Sequence, residues 1–345
     1  MNLAAGKRVY VGLSGGVDSA VSAALLQKQG AHVTGVFIKG WYPPGMPCTW
    51  ASDRRDAMRV AARLKIPFKT LDASAEYKSG VIDYMLREYR SGRTPNPDVM
   101  CNREVKFKTF ANFAFSEGAD YIATGHYARS IDGELYKGLD TSKDQSYFLW
   151  AVPKDVMRRT LFPLGEMAKD ETRILAEKFN LPNAKKKDSQ GVCFLGNIQM
   201  EDFLISEFGE QPGPAVAVDG SLVGTHSGAL LHTLGSRVTL EDAPQGPWYV
   251  LRKDIKRNEL TVSHKKIESE AGKDIHLQEI NYFTVPTADT IAQAQFRYHG
   301  PYISGELKEE GKLFVLSNTA QEPIASGQSL VLYDGDRCIG GGIIE

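Results

Sequence analysis

The stretch KRVYVGLSGGVDSA, residues 7–20, decides the fold class of this chain. An apolar run of strand length leads into a glycine pair, and from Val17 onward apolar residues recur at helical spacing. The alternation continues, with strands predicted at 32–39, 68–72 and 119–126 and helices at 54–66, 74–90 and 103–116. Such alternation is typical of a parallel sheet with helices on both faces.

The same junction predicts a phosphate site. Glycines allow successive N–H groups to point into a concavity, and a helix N-terminus adds its positive dipole end. Ser14 and Ser19 supply hydroxyl donors, while Asp18 can hold a Mg²⁺ ion that bridges phosphates. The loop has neither the Walker A pattern nor the GxGxxG spacing. Taken alone, a glycine pair could equally be a tight turn before a helix.

Composition excludes several classes of protein. Hydrophobic residues make up 42% and charged residues 24%, which is ordinary for a globular chain. The net charge of −1 does not by itself indicate a nucleic-acid partner. No apolar run reaches the ~18 residues of a membrane span, and no signal peptide precedes the first strand. The four cysteines lie far apart without ligand spacing, so we expect a reducing cytoplasm rather than a disulfide scaffold or a zinc site.

The chain length predicts two or three domains. At roughly 150 residues per domain, 345 residues allow two, or three if one is small. The composition shifts near residue 201 toward short strands joined by turns, so we predict domains at 1–200, 201–272 and 273–345. The last should contain strands at 291–298, 312–318 and 329–333 and a turn at Asp334-Gly335. Another hairpin turn, Asp132-Gly133, is expected to extend the parallel sheet.

Two cysteines lie in segments that could make them reactive. Cys101 lies near the end of the proline-rich loop TPNPDVMCN (94–102), and we expect it in the first turn of the helix that follows, where the dipole and Arg103 can lower a thiol pKa. Asp98 is a plausible general acid or base beside it. Cys193 lies in KKKDSQGVCFLG (185–196), next to three lysines. Either cysteine could instead be a small buried hydrophobic residue.

The glycine loop, residues 12–19, resembles the pyrophosphate-binding loop of ATP pyrophosphatases. Further motifs follow in one order over nearly the whole chain, and together they resemble the bacterial tRNA-specific 2-thiouridylases. These motifs are SGGVDS (14–19), TPNPDVMCN with KFK (94–108), ATGHYAR (123–129), KDQSYFL (143–149), SQGVCFLG (189–196) and YDGDRCIGGGII (333–344).

The resemblance implies ATP-dependent 2-thiolation of the wobble uridine of tRNA. It implies an α/β, Rossmann-like N-terminal domain with a parallel sheet, a small central domain and a C-terminal β-barrel. ATP would adenylate the uracil C2 oxygen. Cys193 would carry a persulfide received from a sulfur-relay protein, Cys101 would be the second catalytic thiol, and the two could finish as a disulfide. Asp98 would transfer a proton.

The resemblance also assigns binding residues. ATP, with its Mg²⁺, would be held by Gly12, Leu13, Ser14, Gly15, Gly16, Val17, Asp18, Ser19, Ile38 and Gly125; no other metal is expected. The tRNA would contact Asn96, Pro97, Asp98, His126, Lys143, Asp144, Gln145, Arg297, Tyr298 and Gln328.

One segment departs from the family pattern, and other functions stay open. HTLGSRVTLEDAPQGPW (232–248) stands where the family reads close to HTIGQRKGL, which puts tRNA contacts of the central domain in doubt. Basic clusters at 185–187, 252–257 and 264–266 are the local hints of a phosphate-binding face. The alternatives are another ATP pyrophosphatase that adenylates a small metabolite, or a non-catalytic tRNA-binding protein. A monomer without membrane attachment is the simplest expectation.

Overall fold

The fold consists of three sheets with helices around the first. The computed structural model describes residues 3–345 except 44–49, 188–198, 267, 270, 288–289, 319 and 321. Its strands are β1 Arg8–Gly12, β2 His32–Lys39, β3 Phe68–Asp72, β4 Tyr121–Ala123, β5 Ala128–Ile131, β6 Glu134–Lys137, β7 Thr160–Leu161, β8 Gly213–Val216, β9 Leu222–His226, β10 Arg237–Val238, β11 Trp248–Asp254, β12 Glu259–Ser263, β13 Asp274–Tyr282, β14 Thr290–Gln295, β15 Ile303–Lys308, β16 Leu313–Leu316, β17 Ser329–Asp334 and β18 Arg337–Ile344.

The helices surround the N-terminal sheet, and none that the structure describes has the length and apolar composition to cross a bilayer. They are α1 Val17–Lys28, α2 Trp50–Leu64, α3 74–90, α4 97–116, α5 Lys154–Met157, α6 Lys169–Lys178 and α7 Met200–Phe208. Both α3 and α4 contain a π-helical stretch, at Lys78–Ile82 and Cys101–Thr109. Short 3₁₀ turns occur at Ser146–Phe148, Ala229–Leu231 and Glu309–Gly311.

The N-terminal sheet is parallel, as the alternation predicts. Its strand order is β3-β2-β1-β4-β7, and every pairing in it is parallel. One face is covered by α1, α2 and α6, which contribute Leu26, Val60 and Ala176 to a common core. The opposite face is covered by α3 and α4, which contribute Met85 and Phe110 to a second core. Helices on both faces confirm the predicted α/β class.

Helix α4 begins six residues earlier than the predicted 103. The chain is extended at Asn96, whose side-chain oxygen accepts hydrogen bonds from the N–H groups of Asp98 and Val99, both at 3.2 Å. Pro97 occupies the first helical position, where its fixed φ and missing N–H suit a helix start. From the sequence alone, this proline is predicted to lie in a loop. Cys101 therefore lies beyond the first turn, contrary to expectation.

The two downstream sheets give a small central domain and a C-terminal β-barrel, as the fold prediction requires. The central sheet has the order β10-β11-β12-β8-β9. The barrel runs β13-β16-β15-β14-β17-β18 and closes because β18 also pairs with β13. The three strands predicted there correspond to β14, β16 and β17, with ends shifted by a few residues. The predicted domain boundaries stay predictions.

A hairpin from the N-terminal half joins the barrel sheet, which corrects the expectation that it would extend the parallel sheet. Strands β5 and β6 flank Asp132-Gly133, both with positive φ, so the predicted turn is confirmed. However, β6 pairs with β18, and Leu135 lies opposite Cys338. The second predicted turn is shifted by one residue, because Asp334 still pairs with Arg337 at the strand end.

Candidate active site

The residues predicted to hold ATP lie together at the carboxyl edge of the parallel sheet. The glycine loop follows β1, Ile38 lies near the end of β2, and Gly125 follows β4. Because β2 and β4 flank β1 on opposite sides, this is the point where ligands bind in open α/β sheets. A Cβ added at Gly12 would lie 3.8 Å from Ile38 Cδ1, and one at Gly125 would lie 2.7 Å from the Ser19 nitrogen.

The glycine loop has the geometry of an anion cradle. Gly15 has a φ of +82° and packs so closely that an added Cβ would lie 2.5 Å from the Asp53 carbonyl oxygen. Gly16 caps α1 without offering a side-chain oxygen to the N–H groups of the first turn. The hydroxyls of Ser14 and Ser19 lie 3.2 Å apart. The loop can therefore present backbone and hydroxyl donors to phosphate oxygens.

The carboxylate of Asp18 is held by two residues that the sequence analysis missed. Lys169 Nζ donates to both carboxylate oxygens, at 2.7 and 2.8 Å, and the hydroxyl of Tyr127 donates to Oδ1 at 3.1 Å. From the sequence alone, a lysine at the start of a helix such as α6 is expected to be exposed to solvent. Its position beside the glycine loop follows only from the fold. The structure thus places an ammonium group, paired with Asp18, beside the glycine loop.

Two more missed residues support the loop from the segment after α6. Asn183 Nδ2 donates to the carbonyl oxygen of Gly15 at 2.9 Å. Lys186 Nζ lies 2.9 Å from carboxylate oxygens of both Asp53 and Asp56. Burial lowers the pKa of Lys186, but the hydrogen bonds that it donates to Asp56 and Asp53 outweigh this effect and raise the pKa above its ordinary value. One lysine of the 185–187 cluster is therefore a structural ion-pair partner.

The predicted base-contact segment leads from the loop before α4 into its first turn. Asn96 caps the helix, Pro97 is buried, and Asp98 is half-buried at the second helical position. Arg103 forms ion pairs with Glu104 at 2.8 Å and with Glu279 at 2.6 Å. The guanidinium expected to favour a Cys101 thiolate is thus already paired with two carboxylates.

Of the two predicted catalytic cysteines, the structure describes only Cys101. Cys101 is 2% exposed and belongs to the core formed by α3, α4 and the barrel. Cys193 lies outside the described residues. The flanks of its segment are well placed: Lys186 is bound at the edge of the glycine loop, and α7 begins at Met200, which packs against the core that contains Cys101.

His126, a predicted tRNA contact, is buried beside the nucleotide edge. Its Nδ1 lies 2.7 Å from Thr124 Oγ1, and its ring lies near Phe107 and Phe162, at 5.9 and 6.1 Å between centroids. Burial, helped by the charge of Lys106, holds the pKa of His126 well below its ordinary value. The imidazole is neutral near pH 7.

The predicted contacts at 143–145 begin at the end of a turn, which the Lys143 N–H closes on the Asp140 carbonyl oxygen at 3.0 Å. Asp144 accepts hydrogen bonds from the N–H groups of Gly138 and Ser146, and burial raises its pKa in spite of these bonds. Gln145 Oε1 accepts from the N–H of Tyr127 at 3.1 Å, which links this turn to Asp18. Lys143 is half-buried. Their roles in tRNA binding stay predictions.

The three contacts predicted in the barrel have different surroundings. Arg297 is exposed and forms an ion pair with Glu322. Tyr298, 37% exposed, packs its ring 4.4 Å from that of Phe148, so the barrel meets the 143–149 motif here. Gln328 is half-buried, and its Nε2 donates to the carbonyl oxygen of Thr94 at 2.7 Å.

The central domain divides its basic residues between surface and interior. Arg252, Lys256 and Arg257 are exposed. Lys253 Nζ donates to the His232 carbonyl oxygen at 2.8 Å, and burial lowers its pKa to about 8. The cluster at 252–257 is therefore only partly available to phosphate.

Comparisons with known proteins cover the chain from end to end. The family model described as tRNA methyl transferase HUP domain matches residues 7–197. The models described as tRNA methyl transferase PRC-barrel domain and aminomethyltransferase beta-barrel domain match residues 201–264 and 273–344.

Relatives named tRNA-specific 2-thiouridylase MnmA match over the same span. The protein of Pseudomonas syringae pv. syringae (strain B728a) is 44% identical over 355 residues, which is 98% of this chain and 94% of the relative. That of Pseudomonas putida (strain W619) is 45% identical over 354 residues, with the same coverage. Among solved structures, the U34-tRNA thiolase NcsA of Methanococcus maripaludis aligns with 19% identity and a TM-score of 0.37, over 60% of this chain and 68% of that one.

Proposed function

The chain belongs to the tRNA-specific 2-thiouridylase family, and from this premise we propose that it replaces the C2 oxygen of the tRNA wobble uridine by sulfur at the expense of ATP. The observation that carries the proposal is the meeting of the glycine loop and α4. Phe110 of α4 lies 3.7 Å from where a Cβ of Gly12 would stand, and Phe107 packs near His126 after β4. The nucleotide cradle and the helix that bears Asp98 and Cys101 therefore share one edge of the sheet.

ATP is the proposed co-substrate. The cradle at Gly15, the unfilled N-cap at Gly16 and the ammonium of Lys169 give donors and positive charge for a polyphosphate. Gly125 leaves room against α1 where a side chain would collide with Ser19. We propose that Ile38 and Gly125 border the adenosine part and that residues 12–19 hold the phosphates.

Mg²⁺ fits this site only together with the phosphates. The described residues contain no cluster of three or more His, Cys, Asp or Glu side chains that could hold an ion by themselves. Asp18 offers one carboxylate, already bonded to Lys169. One carboxylate plus substrate phosphates is a usual Mg²⁺ environment, and there the ion would neutralise phosphate charge.

In the first proposed step, the uracil C2 oxygen attacks the α-phosphorus of ATP and pyrophosphate leaves. The oxygen becomes a better nucleophile when N3 loses its proton, and we assign Asp98 as the proton acceptor. Asn96 holds the helix start that presents Asp98, through its bonds to the N–H groups of Asp98 and Val99. Adenylation turns a poor leaving oxygen into AMP.

In the second proposed step, the terminal sulfur of a Cys193 persulfide forms a bond to C2 and AMP departs. The Cys101 thiolate then attacks Sγ of Cys193, so the persulfide S–S bond breaks and its electron pair remains on the transferred sulfur. The sulfane sulfur is reduced while the two cysteines are oxidised to a disulfide, which an external dithiol must reduce. Because Cys101 is 2% exposed, this step requires that tRNA binding open access to the thiol.

We further propose that the persulfide comes from a sulfur-relay protein and that the enzyme works as a cytoplasmic monomer. The lysines flanking Cys193 would favour its thiolate form. Lys185 and Lys187 are exposed, so their charges are accessible to a partner in solution.

The test is mass spectrometry of tRNA nucleosides after incubation of unmodified tRNA with the protein, ATP, Mg²⁺ and a persulfide donor. We expect 2-thiouridine at the wobble position, dependent on ATP. A methylated uridine, as the wording of two family models would suggest, or pyrophosphate release that needs no tRNA, would contradict the proposal.

A further inference from the structure

The structure assigns to Gln328 a positioning role for the base-contact segment, which deepens the proposed function and rests on it. Gln328 is predicted to contact tRNA, but its amide is engaged elsewhere. Nε2 donates to the carbonyl oxygen of Thr94 at 2.7 Å. Thr94 lies two residues before Asn96, which caps the helix that bears Asp98.

Thr94 is bound by both other domains of the chain. Its N–H donates to the Ser326 carbonyl oxygen of the barrel at 2.9 Å. Its hydroxyl donates to that of Thr233, in the central domain, at 3.3 Å. With the bond from Gln328, all three polar groups of this residue are used across domain boundaries, and the residue is only 8% exposed.

The segments are closely packed at this junction. Gly327 has a φ of +88°, and a Cβ there would lie 2.8 Å from the Thr94 nitrogen and 2.9 Å from its oxygen. On the preceding side, a Cβ at Gly92 would lie 2.8 Å from Cγ1 of Ile255 in the central domain. The approach of Gly327 to Thr94 is backbone to backbone and fixes the relative position of these two segments, whereas Gly92 packs against the Ile255 side chain.

The barrel side of the junction is itself anchored. The N–H of Gly327 donates to the carbonyl oxygen of Ile344, and the N–H of Ile344 donates to that of Gln328, both at 2.8 Å. One residue further, Ser329 accepts from the Tyr147 hydroxyl at 3.2 Å. Gln328 therefore belongs to the closed barrel, just before β17. Through its hydrogen bond to Thr94, it holds Thr94 at a fixed place relative to the barrel.

The consequence is that the barrel sets where Asp98 stands relative to the nucleotide. A displacement on the order of 1 Å of a catalytic group can cost about 10²-fold in rate. Loss of the Gln328 hydrogen bond should therefore reduce the rate of the chemical step. Loss of a residue that only contacts tRNA should instead weaken tRNA binding.

The experiment compares Gln328→Leu with the unchanged protein in single-turnover thiolation and in tRNA binding. We expect the rate at saturating tRNA to fall about 10- to 100-fold, with the Kd for tRNA changed by less than about 2-fold and the ATP KM unchanged. Hydrogen exchange of the peptide spanning 92–98 should be faster in the variant, because the Thr94 segment loses a bond. Gln293→Ala, an exposed glutamine in the same barrel, is the matched control and should behave as the unchanged protein.

Three outcomes would overturn the inference. These are a raised tRNA Kd with a normal rate at saturation, a normal rate together with normal binding, or unchanged exchange across 92–98. If Gln328→Leu fails to fold, Gln328→Asn, which shortens the donor, serves the same comparison. Inactivity of the unchanged protein would instead contradict the proposed function. In that case the hydrogen-exchange comparison alone would test whether Gln328 positions the 92–98 segment.

Discussion

The glycine loop and the Thr94–Asp98 segment, both needed for the proposed reaction, are held in opposite ways. Among the described residues, Lys169, Tyr127 and Asn183 hold the glycine loop, and all three belong to the parallel-sheet part of the chain. Thr94 is held by Gln328 and Ser326 of the barrel and by Thr233 of the central domain. Under the proposed function, nucleotide binding would therefore depend on local contacts, whereas placement of the target base would depend on assembly of all three domains.

The largest effect expected on the tRNA side of this comparison is that of Cys101→Ser. Without a thiol to attack the persulfide, thiolation should fall by at least about 10³-fold. Nucleoside mass spectrometry measures the loss, and ATP binding should be unchanged because Cys101 lies outside the glycine loop. The control is Cys338→Ala, a buried cysteine of the barrel that should retain activity. Normal thiouridine in Cys101→Ser would remove this residue from the mechanism.

On the nucleotide side, Lys169→Met should cost about 10²- to 10³-fold in the rate of pyrophosphate release, because a cation facing developing phosphate charge is lost. The Kd for tRNA should not change. Lys178→Met alters an exposed lysine at the other end of the same helix and is the matched control. Since the substitution also leaves Asp18 without its ion pair, Lys169→Arg should recover part of the rate. An unchanged rate in Lys169→Met would show that the pair is only structural.

His126, beside the nucleotide edge, and His232, in the central domain, predict how the free energy of unfolding depends on pH. Burial keeps His126 neutral in the folded state, and in the central domain burial, with the charges of His226 and Lys253, lowers the pKa of His232 to about 4. The unfolded chain takes up these protons below pH ~6.5, so the free energy of unfolding should fall as pH drops below that value, by up to about 1.4 kcal/mol per pH unit and histidine.

Urea unfolding above and below pH ~6.5 measures this fall. His232→Gln should flatten the slope, whereas His32→Gln, at an exposed histidine, should not. A slope that both variants leave intact would mean that other groups cause the loss of stability.

The smallest effect concerns salt. Arg297 is exposed beside Glu322, so its contribution to tRNA binding should be a single phosphate contact. Arg297→Ala should reduce the slope of log K against log salt by about 1 and leave the rate at saturating tRNA unchanged. A titration of tRNA affinity with salt is the measurement. An unchanged slope would remove Arg297 from the interface.

What could be predicted from the sequence was the part of the structure that local residues determine. The β1–α1 junction and the Asp132-Gly133 turn were predicted correctly, because glycine geometry and apolar spacing act over a few residues. The predicted start of α4 was wrong because a proline such as Pro97 can occupy the first position of a helix, although it disrupts a helix interior. The pairing of Leu135 with Cys338 and the bond from Gln328 to Thr94 join residues more than 200 positions apart, and no local pattern encodes them.

The candidate site divides in the same way. Residues 12–19 could be assigned because one short string contains the whole cradle, and Ile38 and Gly125, which the resemblance assigns to the same site, lie beside it in the structure. Lys169 could not be found, because its role depends on a contact with Asp18 across 151 positions. The assignments of Cys101 and Cys193 to the chemistry stay predictions from the resemblance.

The central claim is that this enzyme activates the uracil oxygen by adenylation at the glycine loop, and the most direct measurement follows that oxygen. Transcribed tRNA carrying oxygen-18 at C2 of the wobble uridine is thiolated with ATP and a persulfide donor, and the released nucleotide is analysed by mass spectrometry. The account predicts the label in AMP, with pyrophosphate as the other product. Unlabelled AMP, or ADP and inorganic phosphate in its place, would contradict it.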